Sequence, residues 1–144
     1  LSTLRTKEII EAMLTIDPQK SGDFTLQANN SQGFEVVNGA KNSPIIVRIT
    51  ATGMWKVNTE KPLPSCDADG LPQEDAGTIG FKMPEAKAGS LLLHRKQSNY
   101  YQRIGTVADI ILYPGETVAF VCNDAEGGFN DNEGFLNIKW ELVV

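Results

Sequence analysis

The feature that most constrains this chain lies near its C-terminus. In Phe135–Val143, Leu136, Ile138, Trp140 and Leu142 alternate with Asn137, Lys139 and Glu141. A period of two is the mark of a strand with one face in a core and the other in water. Glu116–Cys122 (ETVAFVC) is a second strand-like run, and Pro44–Thr52 (PIIVRITAT) a third, with Ile45, Val47 and Ile49 on one face. Further strands are expected at Phe24–Ala28, Phe34–Val37, Thr78–Met83, Ser90–His94 and Arg103–Leu112. Tyr113-Pro114-Gly115-Glu116 carries Pro and Gly in the two central positions of a type II turn. Short strands separated by turn signals predict an all-β fold, a β-sandwich.

One stretch breaks the pattern. In residues 6–16 (TKEIIEAMLTI), Ile9, Ile10, Met13 and Leu14 follow helical spacing. Thr6 is a reasonable N-cap, and Asp17-Pro18 ends the run, because the residue before proline is pushed out of the α region. The expectation is a short N-terminal helix and linker over 1–22, ahead of a sandwich over 23–144. The helix then either packs on the sandwich or tethers it to an upstream domain or a partner chain; the shift to all-β composition favours the tether. The first residue is Leu1 rather than Met, so the chain reads as a processed product or a domain cut from something longer.

Between the last two strands lies Asn123–Gly134, NDAEGGFNDNEG, with two Asp, three Asn, two Glu and three Gly. Loops held by a rigid sheet are where binding chemistry is usually found. Calcium takes six to eight oxygens from carboxylates, amides and backbone carbonyls. Asp124, Asp131 and Asn132 offer such oxygens, and Gly127 and Gly128 let the backbone turn sharply. Two aspartates match the charge of one divalent ion; left close together without one, they repel. The alternative is a polar hairpin loop whose Asn, Asp and Gly serve the turn alone. An EF-hand is excluded, because counting from Asp124 its ligands and turn glycine fall out of register.

The long irregular stretch 53–77 contains Ser65–Gly70 (SCDADG). Asp67 and Asp69, with Glu74 and Asp75 near, would suit a second calcium, the rim of the first site or a solvated turn. The solvated turn fits Asp67 best and the rim fits Asp69. Cys66 and Cys122 show neither a CxxC nor a Cys/His zinc spacing. Whether they pair as a disulfide depends on a Cα separation that sequence does not supply.

At 144 residues and a net charge of −5, the chain is one domain with no basic stripe. That argues against a general nucleic-acid binder. No apolar run approaches a membrane-spanning helix, and no signal-peptide pattern opens the sequence. The sole histidine, His94, ends an apolar run (SLLLH), and no G-x-S-x-G nucleophile motif is present. An enzymatic role is not expected.

The run NDAEGGFNDNEGFLNI resembles the calcium-site segment of the galactophilic bacterial lectins of the Pseudomonas first-lectin type. That family has an Asn-Asp pair, a glycine-containing turn, two adjacent amides seven and eight residues after the Asp, then Gly and a closing strand. Asp124, Asp131-Asn132 and Gly134 keep that spacing. Ala28-Asn29-Asn30 with Gly33, Ile46–Gly53, Ile104-Gly105 and Tyr113–Cys122 extend the resemblance over roughly 24–144.

The resemblance implies a galactose-binding-like sandwich with calcium as cofactor. It implies ligands at Asp124, the Gly128 carbonyl, Asp131 and Asn132, with a further carbonyl from Val57 or Asn58. Sugar contacts fall on Asp124, Asp131, Asn132 and the backbone of Ala125 and Gly128. The family's second loop brings a His and a Gln to the sugar; here those positions hold Cys66 and Asp69. These departures, and Asp131 for an amide, bear on which sugar is bound. Trp55 or Phe129 is the candidate ring for the sugar's apolar face, and Trp140 is expected in the core.

The resulting expectation is calcium-dependent binding of galactose-type carbohydrate by a secreted, extracellular or cell-surface protein, with no membrane insertion. Its rival is a calcium-stabilised structural or targeting domain of a larger secreted protein, without sugar activity.

Overall fold

A computed structural model describes residues 13–16, 20–40, 42–57, 63–71 and 81–143. Among the described residues, ten strands make two stacked sheets. They are β1 (Met13–Ile16), β2 (Ser21–Gln27), β3 (Phe34–Asn38), β4 (Ile45–Thr52), β5 (Trp55–Lys56), β6 (Leu91–Arg95), β7 (Tyr100–Arg103), β8 (Val107–Leu112), β9 (Thr117–Cys122) and β10 (Glu133–Leu142). One sheet runs β1-β3-β9-β6-β7 and the other β2-β10-β4-β8, with β5 also paired to β10. Among the described residues, no helix is long and apolar enough to cross a membrane.

The sandwich forms where the alternation placed it. β10 lies between β2 and β4, antiparallel to both, with Ile138 opposite Phe24 and Ala51. Leu136, Ile138 and Trp140 are buried, while Lys139 and Glu141 are exposed. Each such large apolar side chain contributes about 1.5–3 kcal/mol on leaving water. The sheets meet through aromatic rings: Phe24 of β2 stacks on Phe34 of β3 at 4.1 Å and lies 5.5 Å from Phe120 of β9. The turn at 113–116 forms as expected. Gly115 has φ +76°, which a type II turn requires, and the Glu116 N–H donates to Tyr113 O at 3.1 Å.

Several expectations are overturned, among them the single strand over Arg103–Leu112, which is broken at 104–106 between β7 and β8. The end of the expected helix, Met13–Ile16, is strand β1, parallel to β3 with Met13 opposite Glu35 and Ile16 opposite Asn38. Ile16 is 1 % exposed, and its carbonyl accepts the Gly39 N–H at 2.7 Å. Helical spacing is a local signal, and here pairing with β3 wins over it. The rest of that helix, residues 6–12, lies outside the described residues. β2 begins at Ser21, inside the expected linker. The expected strand at 78–83 is also absent over its described part, where Phe81 makes a single bridge to Ala125 and the chain then bends.

On β6 and β9 both faces are covered: Leu92 and Val121 are buried as well as Leu91, Leu93 and Phe120. Segments 66–71 and 86–90 run beside them, with Leu91 N–H donating to Ala68 O at 2.8 Å and Leu71 N–H to Ala88 O at 2.9 Å. This extra layer supports the loop that follows β9.

Candidate functional site

The Asn123–Gly134 loop leaves β9 and returns as β10, and three neighbouring segments hold it. Asn123 is fully buried. Its side-chain Oδ1 accepts the Met83 N–H at 3.0 Å, and its Nδ2 donates to Met83 O at 3.0 Å and Lys87 O at 3.1 Å. One amide thus staples segment 83–87 against the loop. The Lys82 N–H donates to Asp124 O at 3.2 Å. On the other side the Ala28 N–H donates to Gly134 O at 3.0 Å. Gly134 also pairs with Trp55, whose backbone exchanges two hydrogen bonds of 2.9 Å with Cys66.

Asp124 is the centre of this arrangement and is 3 % exposed. Its Oδ1 accepts the Ala125 N–H at 2.7 Å, and its Oδ2 accepts Asn132 Nδ2 at 2.8 Å. Asn132 Nδ2 also donates to Ala28 O at 3.1 Å. Gly128 packs against the carboxylate: a Cβ there would come 3.2 Å from Asp124 Oδ1. Burial pushes the Asp124 carboxyl above its ordinary value, and the charge of Asp131 pushes the same way. The Asn132 and Ala125 donors and the Lys82 charge pull it back. The loop therefore holds a desolvated carboxylate with a second carboxylate acting on it.

This donor set fits a hard cation. Asp124 and Asp131 would supply carboxylate oxygen. Asn132 donates through Nδ2 to Ala28 O and Asp124 Oδ2, and an amide ligates a hard cation through its oxygen. Among the described residues, no three His, Cys, Asp or Glu side chains group as a metal set. A cation here would therefore rest on two carboxylates completed by amide and carbonyl oxygen, which is calcium chemistry rather than zinc chemistry. Val57 is buried, with its side chain toward Gly89, whose N–H donates to Asn123 O at 3.0 Å. Asn58, Glu74 and Asp75 lie outside the described residues.

The second loop takes a different form from the one its residue types suggested. Cys66 is 4 % exposed and sits in the core beside Trp55 and Gly89. Burial, and then Asp67, push its thiol up to about 11. Cys122 is fully buried and shifted upward too, chiefly by burial, and both cysteines are free thiols. Asp69 is tied down: its Oδ1 accepts the Thr106 N–H at 2.9 Å and Arg103 Nη2 at 3.3 Å. Asp67 caps the turn, accepting the Asp69 N–H at 2.9 Å. A cleft of about 520 Å³ lies here, bordered by Met54, Cys66, Asp69, Lys87 and Arg103.

Neither candidate aromatic is placed to cover a sugar, since Trp55 is 1 % and Phe129 2 % exposed. Trp55 instead donates Nε1–H to Gly89 O at 2.7 Å. Trp140 lies in the core as expected. The residue that sequence reasoning missed is Lys82. Its ammonium lies 3.1 Å from Glu126 Oε2 and 5.3 Å from the centre of the Phe129 ring. Read along the chain it is one position of an expected strand, and no local signal ties it to the loop.

No family model matches the chain, and no curated protein matches it. Among solved structures, an EclA N-terminal domain, described as a PllA-like lectin, is similar at 21 % identity and a TM-score of 0.60, over 86 % of this chain and 96 % of that one. The likeness shows the fold: two stacked sheets arranged as in that lectin domain.

Proposed function

We propose that the protein is a lectin module that binds carbohydrate with the help of a calcium ion at the 123–134 loop. The observation behind this reading is Asp124, a carboxylate 3 % exposed and burdened by the charge of Asp131, inside a lectin fold. A buried charge is costly unless paired, and a divalent cation offsets both carboxylates. The ligands in this reading are Asp124, Asp131, Asn132, the Gly128 carbonyl and a carbonyl of Val57 or Asn58.

When bound, calcium supplies open coordination positions that polarise two neighbouring hydroxyls of a sugar ring. The remaining work falls to the protein. Asp124, Asp131 and Asn132 accept hydrogen bonds from those hydroxyls, and such charge-assisted bonds exceed neutral ones in strength. The backbone of Ala125 and Gly128 borders the ring. Galactose-type sugars suit the site because their cis hydroxyls reach one cation, and the sequence resemblance points the same way. Free glycans of this kind are met outside the cell or at its surface, where we place the protein.

A second reading, a calcium-stabilised structural or targeting domain, is favoured by the second loop. Cys66 is in the core, and Asp69 is engaged with Arg103 and Thr106, so neither is poised for a sugar. Binding is accordingly expected to be weak, on the order of 0.1–1 mM. Titration of the calcium-loaded protein with galactosides, followed by amide NMR, separates the two. Saturable shifts over Asp124–Asn132 that vanish with chelator support the lectin. No shift at high millimolar sugar leaves the structural domain.

A further inference from the structure

A second cleft, of about 300 Å³, opens beside the loop and uses none of the proposed cation ligands. Its lining includes Gln32, Lys82, His94, Lys96, Tyr101 and Glu126. His94 of β6 and Tyr101 of β7 are opposite each other in register and stack at 4.2 Å, with their rings within 3° of parallel. His94 Nε2 lies 2.9 Å from Asn99 Oδ1, which fixes the ring. Lys96 Nζ holds Glu35 at 2.8 Å.

Lys82 gives the cleft its character. Its side chain is only 10 % exposed, its ammonium lies 5.3 Å from the Phe129 ring centre and 5.8 Å from that of Tyr101, and its backbone N–H donates to Asp124 O at 3.2 Å. The cation is therefore fixed in place. Its partner is not comparably buried: the Glu126 side chain is 73 % exposed, on a turn. An exposed glutamate spends side-chain entropy to hold such a pair, so the pair contributes little. A carboxylate from outside, carried on a ring that also meets the cleft walls, can take its place. The size suits one sugar ring, at the lower end of small-molecule pockets.

We propose that this cleft binds a uronic acid residue, whose carboxylate replaces that of Glu126 on Lys82 while the ring hydroxyls face Gln32, His94 and Lys96. The ligand class follows from what already occupies the position, since Glu126 presents a carboxylate oxygen to Lys82 at 3.1 Å. The proposal does not require the cation, so it stands or falls separately from the calcium-dependent reading.

The test is an amide NMR titration with chelator present, using methyl glucuronide and methyl galacturonide. Methyl glucoside and sodium acetate at matched ionic strength are the controls. Saturable shifts at Lys82, His94, Tyr101 and Glu126 with either uronide, and with neither control, support the site. Glu126→Gln removes the internal competitor and should tighten uronide binding about two- to fivefold, the worth of an ion pair whose acidic partner is exposed. Lys82→Gln should abolish the shifts. Lys96→Gln, at a half-exposed position away from the loop, should weaken them, and serves if Lys82→Gln fails to fold. Absence of saturation, equal shifts with acetate or with methyl glucoside, or unchanged affinity in Glu126→Gln would overturn the proposal.

Discussion

Asn132 donates its side-chain Nδ2 to Asp124 Oδ2 at 2.8 Å and to Ala28 O at 3.1 Å, closing the acidic loop on itself and on the turn after β2. Removing that amide leaves a buried carboxylate short of a donor. Asn132→Ala should therefore destabilise the fold by roughly 1.5–3 kcal/mol, the range for a hydrogen bond to a charged group. Denaturant melts with and without calcium would measure it. An unchanged midpoint in both conditions would mean that the bond does not hold the loop.

Calcium should raise the melting temperature. A ligand that binds only the folded state stabilises it by about 2.7 kcal/mol at a hundredfold excess over its dissociation constant. Asp131→Ala should remove most of this response and the sugar response with it, because one residue serves both in the proposed site. Scanning calorimetry with calcium and with chelator is the measurement; identical curves would remove calcium from the account.

Ile16 should behave as a core residue. It is 1 % exposed at the end of β1. Ile16→Ala should cost about 2–4 kcal/mol, the usual range for large-to-small changes in a core. Deleting residues 1–16 should lower the unfolding midpoint for the same reason. A truncated chain that melted like the full one would restore the view of this segment as a tether.

Asp69→Ala should act on stability. The change strips the Thr106 N–H of its 2.9 Å acceptor and leaves Arg103 without that carboxylate. A loss of about 1 kcal/mol is expected, read from urea midpoints. Weakened sugar binding with no change in midpoint would instead mark Asp69 as a rim contact.

The Cys66 thiol predicts a pH effect of definite sign. Folding raises its pKa from 9.0 to about 11. The folded chain therefore keeps its proton where the unfolded chain loses it, and the stabilisation is complete below 9.0 and lost as pH rises through about 11. Stability should fall across that window, and less steeply in Cys66→Ala. At pH 7 both thiols should resist a thiol reagent until the protein unfolds, a check made by comparing labelling rates in buffer and in denaturant.

Alternation and turn residues marked β2, β3, β4, β6, β8, β9 and β10 and the position of the acidic loop, but not β1, β5 or β7. Alternation in Phe135–Val143 is a local pattern that records which face is wet, so Leu136, Ile138 and Trp140 could be placed inward without knowing their partners. Likewise Pro114-Gly115 carries its turn geometry in the residues themselves. Packing set what depends on residues far apart in sequence. Residues 13–16 have helical spacing with their neighbours, yet they are a strand because β3 offers a ladder. Trp55 and Phe129 are in the interior, though nothing in their local sequence separates a buried ring from a sugar platform. Asp69 faces Arg103 and Thr106, and Lys82 reaches the loop, through contacts that bridge distant segments. Composition marks where oxygen-rich chemistry gathers, but burial and pairing set what each oxygen is available for. Both are properties of the packed sheets.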